Sequence, residues 1–169
     1  MPLVLRPPTT EDEPALRALH EELAPEGFEV VLADGSWPEV LAQVEREASG
    51  VGLPEGRVPA DFLVAEVDGV VVGRVSVRHR LNAFLLAEGG HVGYAVGRAH
   101  RRRGHATEML RQSVVRLAAL GVDRVLVTCD DDNVASARTI EANGGVLEDV
   151  VPVGPGRPAK RRYWIATAG

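Results

Sequence analysis

Apolar and polar positions alternate over residues 2–6 (PLVLR), the spacing of a short strand. Behind it the period lengthens. Leu16, Leu19, His20 and Leu23 recur at helical intervals, and the preceding Thr10-Glu11-Asp12-Glu13 sets a carboxylate three residues after a hydroxyl, the form of a capping box. Pro25 and Gly27 end this helix. Ser36-Trp37-Pro38-Glu39 repeats the device, with Trp37 and Pro38 suited to a first turn. The second helix continues through Val40, Leu41 and Val44, and residues 49–60, rich in Gly and Pro, read as a loop.

Phe62 to Val67 then has strand character, Asp68-Gly69 is a hairpin turn, and Val70 to Val77 is the partner strand. Residues 80–89 read as a loop or a brief turn. His91 to Val96 is a further strand, ended by Gly97. From Gly104 to Leu120 the pattern is helical, with Ala106, Met109, Leu110, Val114, Leu117 and Ala118 on one stripe, and Gly121 fits the position that closes such a helix. Val122 to Cys129 is a strand expected to run parallel to its predecessor, because a full helix separates the two. Val134 to Ala142 forms a shorter helix that stops at Gly144-Gly145. Val146 to Val153 and Arg161 to Thr167 make a last pair of strands around GPGRPA. The order β-α-α-β-β-β-α-β-α-β-β predicts a mixed α/β fold and one domain over residues 1–169.

Charge adds an asymmetry. Residues 1–68 hold four arginines against 15 acids, a net of −11, and residues 69–169 hold 15 basic groups against nine acids, a net of +6. That division disfavours a uniformly basic nucleic-acid binder. One cysteine, Cys129, excludes an intramolecular disulfide and thiolate-rich metal sites. It reads as buried packing, since no histidine partner is evident. No basic-then-apolar leader opens the chain and no apolar run is long enough to span a membrane, so a cytoplasmic location is expected.

The segment with most chemistry is AVGRAHRRRGHAT (95–107): a strand, an arginine-rich turn, then a helix beginning with small residues. A helix start leaves backbone N–H groups unpaired, and these can surround a phosphate. Gly104 allows close approach, Ala106 offers no obstruction, and Arg101 to Arg103 add positive potential. A solvated arginine turn with a helix cap is the plainer alternative. Neither G-x-x-x-x-G-K-[ST] nor an early G-x-G-x-x-G is present, which argues against ATP hydrolysis and dinucleotide redox chemistry.

At these residues the chain resembles the GCN5-related N-acetyltransferase (GNAT) family. Its signature, Gln or Arg, two variable residues, Gly, one variable residue, then Gly or Ala, matches Arg101-Arg102-Arg103-Gly104-His105-Ala106. The resemblance covers nearly the whole chain, and is close to a subset of bacterial members over GRVSVRHRLNAFLL (73–86), GGHVGYAV (89–96) and LVTCDDDNVASARTIEANGG (126–145). It implies a twisted, mostly antiparallel sheet flanked by helices, with its central strands splayed. It also implies acetyl-CoA as cosubstrate and direct transfer, in a ternary complex, to the amine of a small molecule, a peptide or a protein. Tyr94, Ala95 and Val96 would lie beside the pantetheine arm. Arg101, Arg102, Arg103, Gly104, His105, Ala106 and Thr107 would hold the pyrophosphate. Asn133 would help to position the arm, with Ser136 nearby, although Asn133 is equally suited to cap its helix.

The tyrosine that many relatives carry seven residues after the asparagine is Ile140 here, and the aromatic residue that often follows is Gly145. The usual acid for the departing thiolate is therefore missing. For the base that frees the amine, His91 is the first candidate, with His79 and Tyr94 as alternatives. His100 and His105 flank the arginine turn and suit the phosphate side better. Glu21, Glu22 and Glu26 suggest a cationic acceptor. No spacing amounts to a metal site, no nucleic-acid or membrane partner is expected, and a monomer or homodimer is anticipated. A non-catalytic acyl-CoA sensor is the competing reading. The basic window 157–162 has no role assigned by sequence.

Overall fold

The computed structural model describes residues 2–31 and 34–167. Along the chain come β1 (Leu3–Arg6), α1 (Glu13–Leu23), α2 (Trp37–Ser49), β2 (Ala60–Val67), β3 (Val70–Arg78), β4 (Val92–Val96), α3 (His105–Ala119), β5 (Arg124–Asp130), α4 (Val134–Ala142), β6 (Val146–Val151) and β7 (Lys160–Ala166). The order is the one the hydrophobic pattern predicts, and the fold is mixed α/β with antiparallel sheets flanked by helices. The strands form two sheets, β1-β2-β3-β4 and β5-β7-β6, and every ladder in them is antiparallel.

The first sheet is buried on both faces. Leu16, Leu19 and Leu23 of α1, with Trp37 and Val40 of α2, pack onto Phe62, Val64 and Ala95. On the other face Leu63, Ala65, Val75, Val77, Val92 and Val96 meet Met109, Leu110 and Leu117 of α3. Val125, Val127, Tyr163 and Ile165 of the second sheet continue that core. Each fully buried leucine contributes about 1.5–3 kcal/mol, so both layers hold the sheet in place.

Local signals explain the boundaries. At α2, Glu39 N–H donates to Ser36 Oγ at 3.4 Å and Ser36 N–H donates to Glu39 Oε2 at 2.8 Å, the reciprocal cap expected there. The first helix begins differently from its expected cap at Thr10 and Glu13. Thr9 N–H donates to Asp12 Oδ2 at 2.7 Å, one residue earlier, and Thr10–Asp12 forms a 3-10 turn. Asp12 is held there because it is only 4% exposed and accepts from Arg6 at 2.7 and 2.9 Å. Residues 85–89, read as a loop or brief turn, form one turn of π-helix. Its carbonyls are tied down by side chains: Leu86 O accepts from Arg162 Nε at 3.0 Å and Glu88 O from Thr128 Oγ1 at 2.5 Å.

β5 forms no ladder with β4, the strand it was expected to run beside. Its ladder partner is β7, antiparallel from Arg124↔Ala166 to Asp130↔Lys160. Just ahead of β4, His91 N–H instead donates to Leu126 O of β5 at 2.7 Å.

Candidate active site

α3 starts from a strained turn. Arg102 has φ +62° and Gly104 has φ +81°, so two of three consecutive residues adopt the left-handed conformation that favours glycine. The first helical bond is Glu108 N–H to Gly104 O at 3.1 Å, which leaves the amides of His105, Ala106 and Thr107 without an acceptor inside the helix. A Cβ at Gly104 would meet no atom within 4 Å, so the turn is open on that side. Arg102 and Arg103 are exposed beside it. Backbone donors so arranged, with two cations at their rim, are suited to an anion.

Arg98 and Arg101 are committed elsewhere. Glu26 accepts from Arg98 Nε at 2.7 Å and from Arg101 Nη2 at 2.9 Å. Glu22 Oε2 accepts from Arg98 N–H at 3.1 Å. Two of the three acids suggested as an acceptor rim therefore brace the arginine turn against the end of α1.

The edge of β4 faces the gap between the sheets. Gly97 N–H bonds Val72 O at 2.8 Å and Arg78 N–H bonds His91 O at 2.7 Å. In an antiparallel ladder that parity turns the backbone groups of residues 93 and 95 toward β3, and those of Tyr94 and Val96 away from it. Val96 O accordingly accepts from Arg101 Nε at 3.1 Å. Ala95, the third residue expected along the cofactor arm, presents its backbone to β3 instead.

Across the gap, α4 is capped by Asn133, whose Oδ1 accepts from Ser136 N–H at 3.1 Å. The Tyr94 hydroxyl reaches over to Ser136 Oγ at 2.7 Å. Burial pushes the Tyr94 phenol above its ordinary pKa, the Ser136 hydrogen bond opposing, so it is protonated at neutral pH. Ile140 is fully buried. Gly145 is also structural: a Cβ there would lie 2.5 Å from Ile140 Cγ2 and 2.9 Å from its carbonyl oxygen. The aromatic residue common in relatives has no room on this backbone.

His91 sits at the seam. It is 4% exposed, and its Nδ1 accepts from Leu126 N–H at 2.9 Å. Burial, with Arg78 adding repulsion, lowers its pKa to about 4. A histidine so placed is a neutral clip between the sheets, which does not suit the base role expected of it. His79 Nε2 lies 3.2 Å from Asp61 Oδ1, outside hydrogen-bonding geometry and with no other partner. His105 is at the start of α3, its pKa lowered by desolvation and then by His100 and Arg103. Cys129 is a buried free thiol, pushed up by desolvation.

The basic window is fully matched. Arg157 pairs with Glu88 at 3.2 Å, Lys160 with Asp130 at 2.5 Å and Arg161 with Asp131 at 2.6 Å. Arg162 pairs with Glu148, and with Asp149 at 2.8 Å. These groups tie β6, β7 and the π turn together. Among the described residues, no group of three or more His, Cys, Asp or Glu side chains is placed to hold a metal ion, and no helix is long and apolar enough to cross a membrane.

Two residues escaped sequence reasoning. Arg74 and Arg78 lie on β3 with Ser76 between them, on the face that packs under α1 and α2, and Arg74 is 4% exposed. The signal was the strand RVSVR (74–78), which alternates valines with polar residues although both faces had helices to cover them.

Residues 2–146 match the family model of the acetyltransferase (GNAT) domain. The uncharacterized N-acetyltransferase YjdG of Bacillus subtilis (strain 168) is 28% identical over 75 residues, 44% of this chain, and the match spans only 40% of that relative's length. Among solved structures, yncA from Salmonella typhimurium, with its cofactor acetyl-CoA, superposes with a TM-score of 0.68 at 19% identity, covering 98% of this chain and 94% of that one. Mycobacterium smegmatis RimJ, in complex with CoA-disulfide, gives 0.73 at 20% identity, covering 97% and 81%. These two likenesses show the fold.

Proposed function

The chain belongs to the GNAT acetyltransferase family, and from that premise we propose that it transfers an acetyl group from acetyl-CoA to an amine. The observation that carries the proposal is the start of α3, where amides without helical acceptors follow the open, left-handed Gly104 beside the exposed Arg102 and Arg103. Acetyl-CoA would supply the activated acetyl group as a thioester. The amides of Arg102–Thr107 would hold its pyrophosphate. The outward backbone edges of Tyr94 and Val96 would line its arm, and Asn133 would flank it from α4.

The chain's own groups divide the remaining work. A neutral Tyr94 hydroxyl, held by Ser136, takes the position of proton donor that Ile140 cannot fill. His79, facing the Asp61 carboxylate, takes the role of proton acceptor in place of the clipped His91. Fixing the amine and the donor edge relative to each other supplies much of the acceleration.

A second reading, a non-catalytic acyl-CoA sensor, is favoured by the burial of Ile140 at the usual acid position. One pair of measurements separates the two. Free-thiol release from acetyl-CoA over an amine panel, beside calorimetric CoA binding, should give both turnover and binding. Binding without turnover selects the sensor, and no CoA binding overturns both.

A further inference from the structure

On the α1/α2 side of the first sheet, β3 presents Arg74, Ser76 and Arg78 at successive same-face positions. The other residues on this layer are those of an ordinary core: Phe62, Val64, Trp37 and Val40. Arg74 Nη1 donates to Ser76 Oγ at 2.9 Å and its Nη2 to Glu29 O at 2.5 Å. Its guanidinium lies over the rings of Phe28 at 4.6 Å and Phe62 at 5.6 Å, and its buried Nε has no partner. Arg78 Nη1 donates to Gly89 O at 3.0 Å and Gly90 O at 3.3 Å. Among the described residues, neither arginine forms an ion pair with a carboxylate.

Beside them is a cavity of about 190 Å³, bordered by Ser76, Arg78 and Phe62 of the sheet and by Trp37, Val40 and Val44 of α2. One of its two acids is occupied: Glu47 pairs with Arg57 and accepts from Gln43 at 3.1 Å, whereas Asp61 lies 3.2 Å from His79 Nε2 without a hydrogen bond. Arg78 in the lining and Arg74 behind it thus outnumber the one unpaired carboxylate, Asp61, and leave one cation in excess at a largely apolar chamber. Taking a charge out of water without a partner is costly, and both guanidiniums are shifted below their ordinary pKa chiefly by burial, Arg74 to about 9. Arginine nevertheless remains cationic at neutral pH, so the chamber keeps a positive potential that an anion would offset.

We propose that this cavity is the acceptor pocket and that it selects amines carrying a carboxylate, of the amino-acid class, with Arg78 receiving the carboxylate and Arg74 fixing positive charge behind it through Ser76. The proposal deepens the acetyl-transfer reading and rests on it for the reaction, but the recognition stands on the cavity alone. Trp37, Val40, Val44 and Phe62 provide walls for an apolar side chain. The volume, against ~30 Å³ per water molecule in the liquid, suits a small free amino acid. Ser76 pairs with Gly93 in the β3–β4 ladder, which puts the pocket one strand from the Tyr94 edge. It replaces the cationic acceptor that the early acids suggested.

The test compares L-leucine, L-leucinamide and 3-methylbutylamine as acceptors for the full chain, reading thiol release. Calorimetric binding of N-acetyl-L-leucine and N-acetyl-L-leucinamide is measured with and without CoA. The acid should exceed both uncharged-end analogues at least tenfold in kcat/KM, and its acetyl product should bind correspondingly tighter than the amide. Arg78→Met should raise KM for leucine and shrink the acid-to-amide ratio. If that variant fails to fold, the wild-type ratio and the binding pair decide. Amide or amine equal to the acid overturns the proposal while leaving acetyl transfer intact, as does product binding blind to the carboxylate. Loss of CoA binding overturns acetyl transfer, and the binding pair without CoA still decides the pocket.

Discussion

Glu26 Oε1 accepts from Arg101 Nη2 at 2.9 Å across 75 residues of sequence, joining the end of α1 to the turn that opens α3. The same carboxylate holds Arg98, so a single acid neutralises two of the four arginines in this segment. Both arginines retain a second tie, Arg101 Nε to Val96 O and Arg98 N–H to Glu22. Glu26→Gln should therefore leave the turn in place and release positive charge toward the start of α3. CoA affinity should rise about twofold or more at low salt, and the gain should vanish at high salt. Calorimetry at two ionic strengths checks this. Weaker binding in the variant would show that Glu26 shapes the turn instead of tuning its charge.

Gly104 occupies φ +81° with open space ahead of it. A β-branched side chain there is disfavoured by conformation and stands where an anion would approach. Gly104→Val should lower CoA affinity by at least about tenfold, equivalent to ~1.4 kcal/mol, with α3 still folded by circular dichroism. Undiminished CoA binding would remove this turn from the cofactor site.

His91 makes stability depend on pH. Its folded pKa of about 4 lies below the ordinary 6.5, so between those values the unfolded chain binds the proton first. Stability should be unaffected by His91 above about pH 6.5 and should fall as pH drops toward 4, by on the order of 2–3 kcal/mol. His91→Asn offers an oxygen near the Nδ1 position for the Leu126 amide but does not titrate. Urea unfolding at pH 7.5, 6 and 4.5 should show a shallower acid loss in the variant. In kinetics the same variant should keep the pH–rate profile, whereas His79→Gln should lower kcat.

Tyr94→Phe removes the hydroxyl that meets Ser136 and keeps the ring. It should lower kcat about tenfold to a hundredfold, while costing stability only about 1 kcal/mol for the lost hydrogen bond. Steady-state kinetics beside thermal unfolding separates the two effects. A kcat unchanged with only stability lost would make Tyr94 a strand-to-helix brace.

What the sequence shows and what it hides follow from range. Ser36 and Glu39 cap their own helix, Asp68-Gly69 turns between its own strands, and Gly121 closes α3, so all three were legible in short windows. Asp12 was misjudged by one residue because its carboxylate answers to Arg6 on β1 as well as to Thr9. The seam between the sheets was invisible because it depends on His91 meeting Leu126, 35 residues away. The arginine turn could be read from Arg101 to Ala106, but its electrical strength could not, since Glu26 lies far upstream. Arg74 and Arg78 were written into the alternation of β3. What covers them is set by distant segments, Phe28 and Glu29 over Arg74 and the carbonyls of Gly89 and Gly90 at Arg78.

The position of β7 bears on how the molecule is made. It is the middle strand of its sheet, pairing with β5 on one side and β6 on the other, and it carries the buried Tyr163 and Ile165. Synthesis runs from the N-terminus, so β5 and β6 emerge before the strand that joins them and wait with unpaired edges. The first sheet can close on the ribosome through the consecutive hairpins of β2, β3 and β4. The second can assemble only when residues 160–166 leave the exit tunnel, so premature release would strand two sticky ribbons on an otherwise finished body.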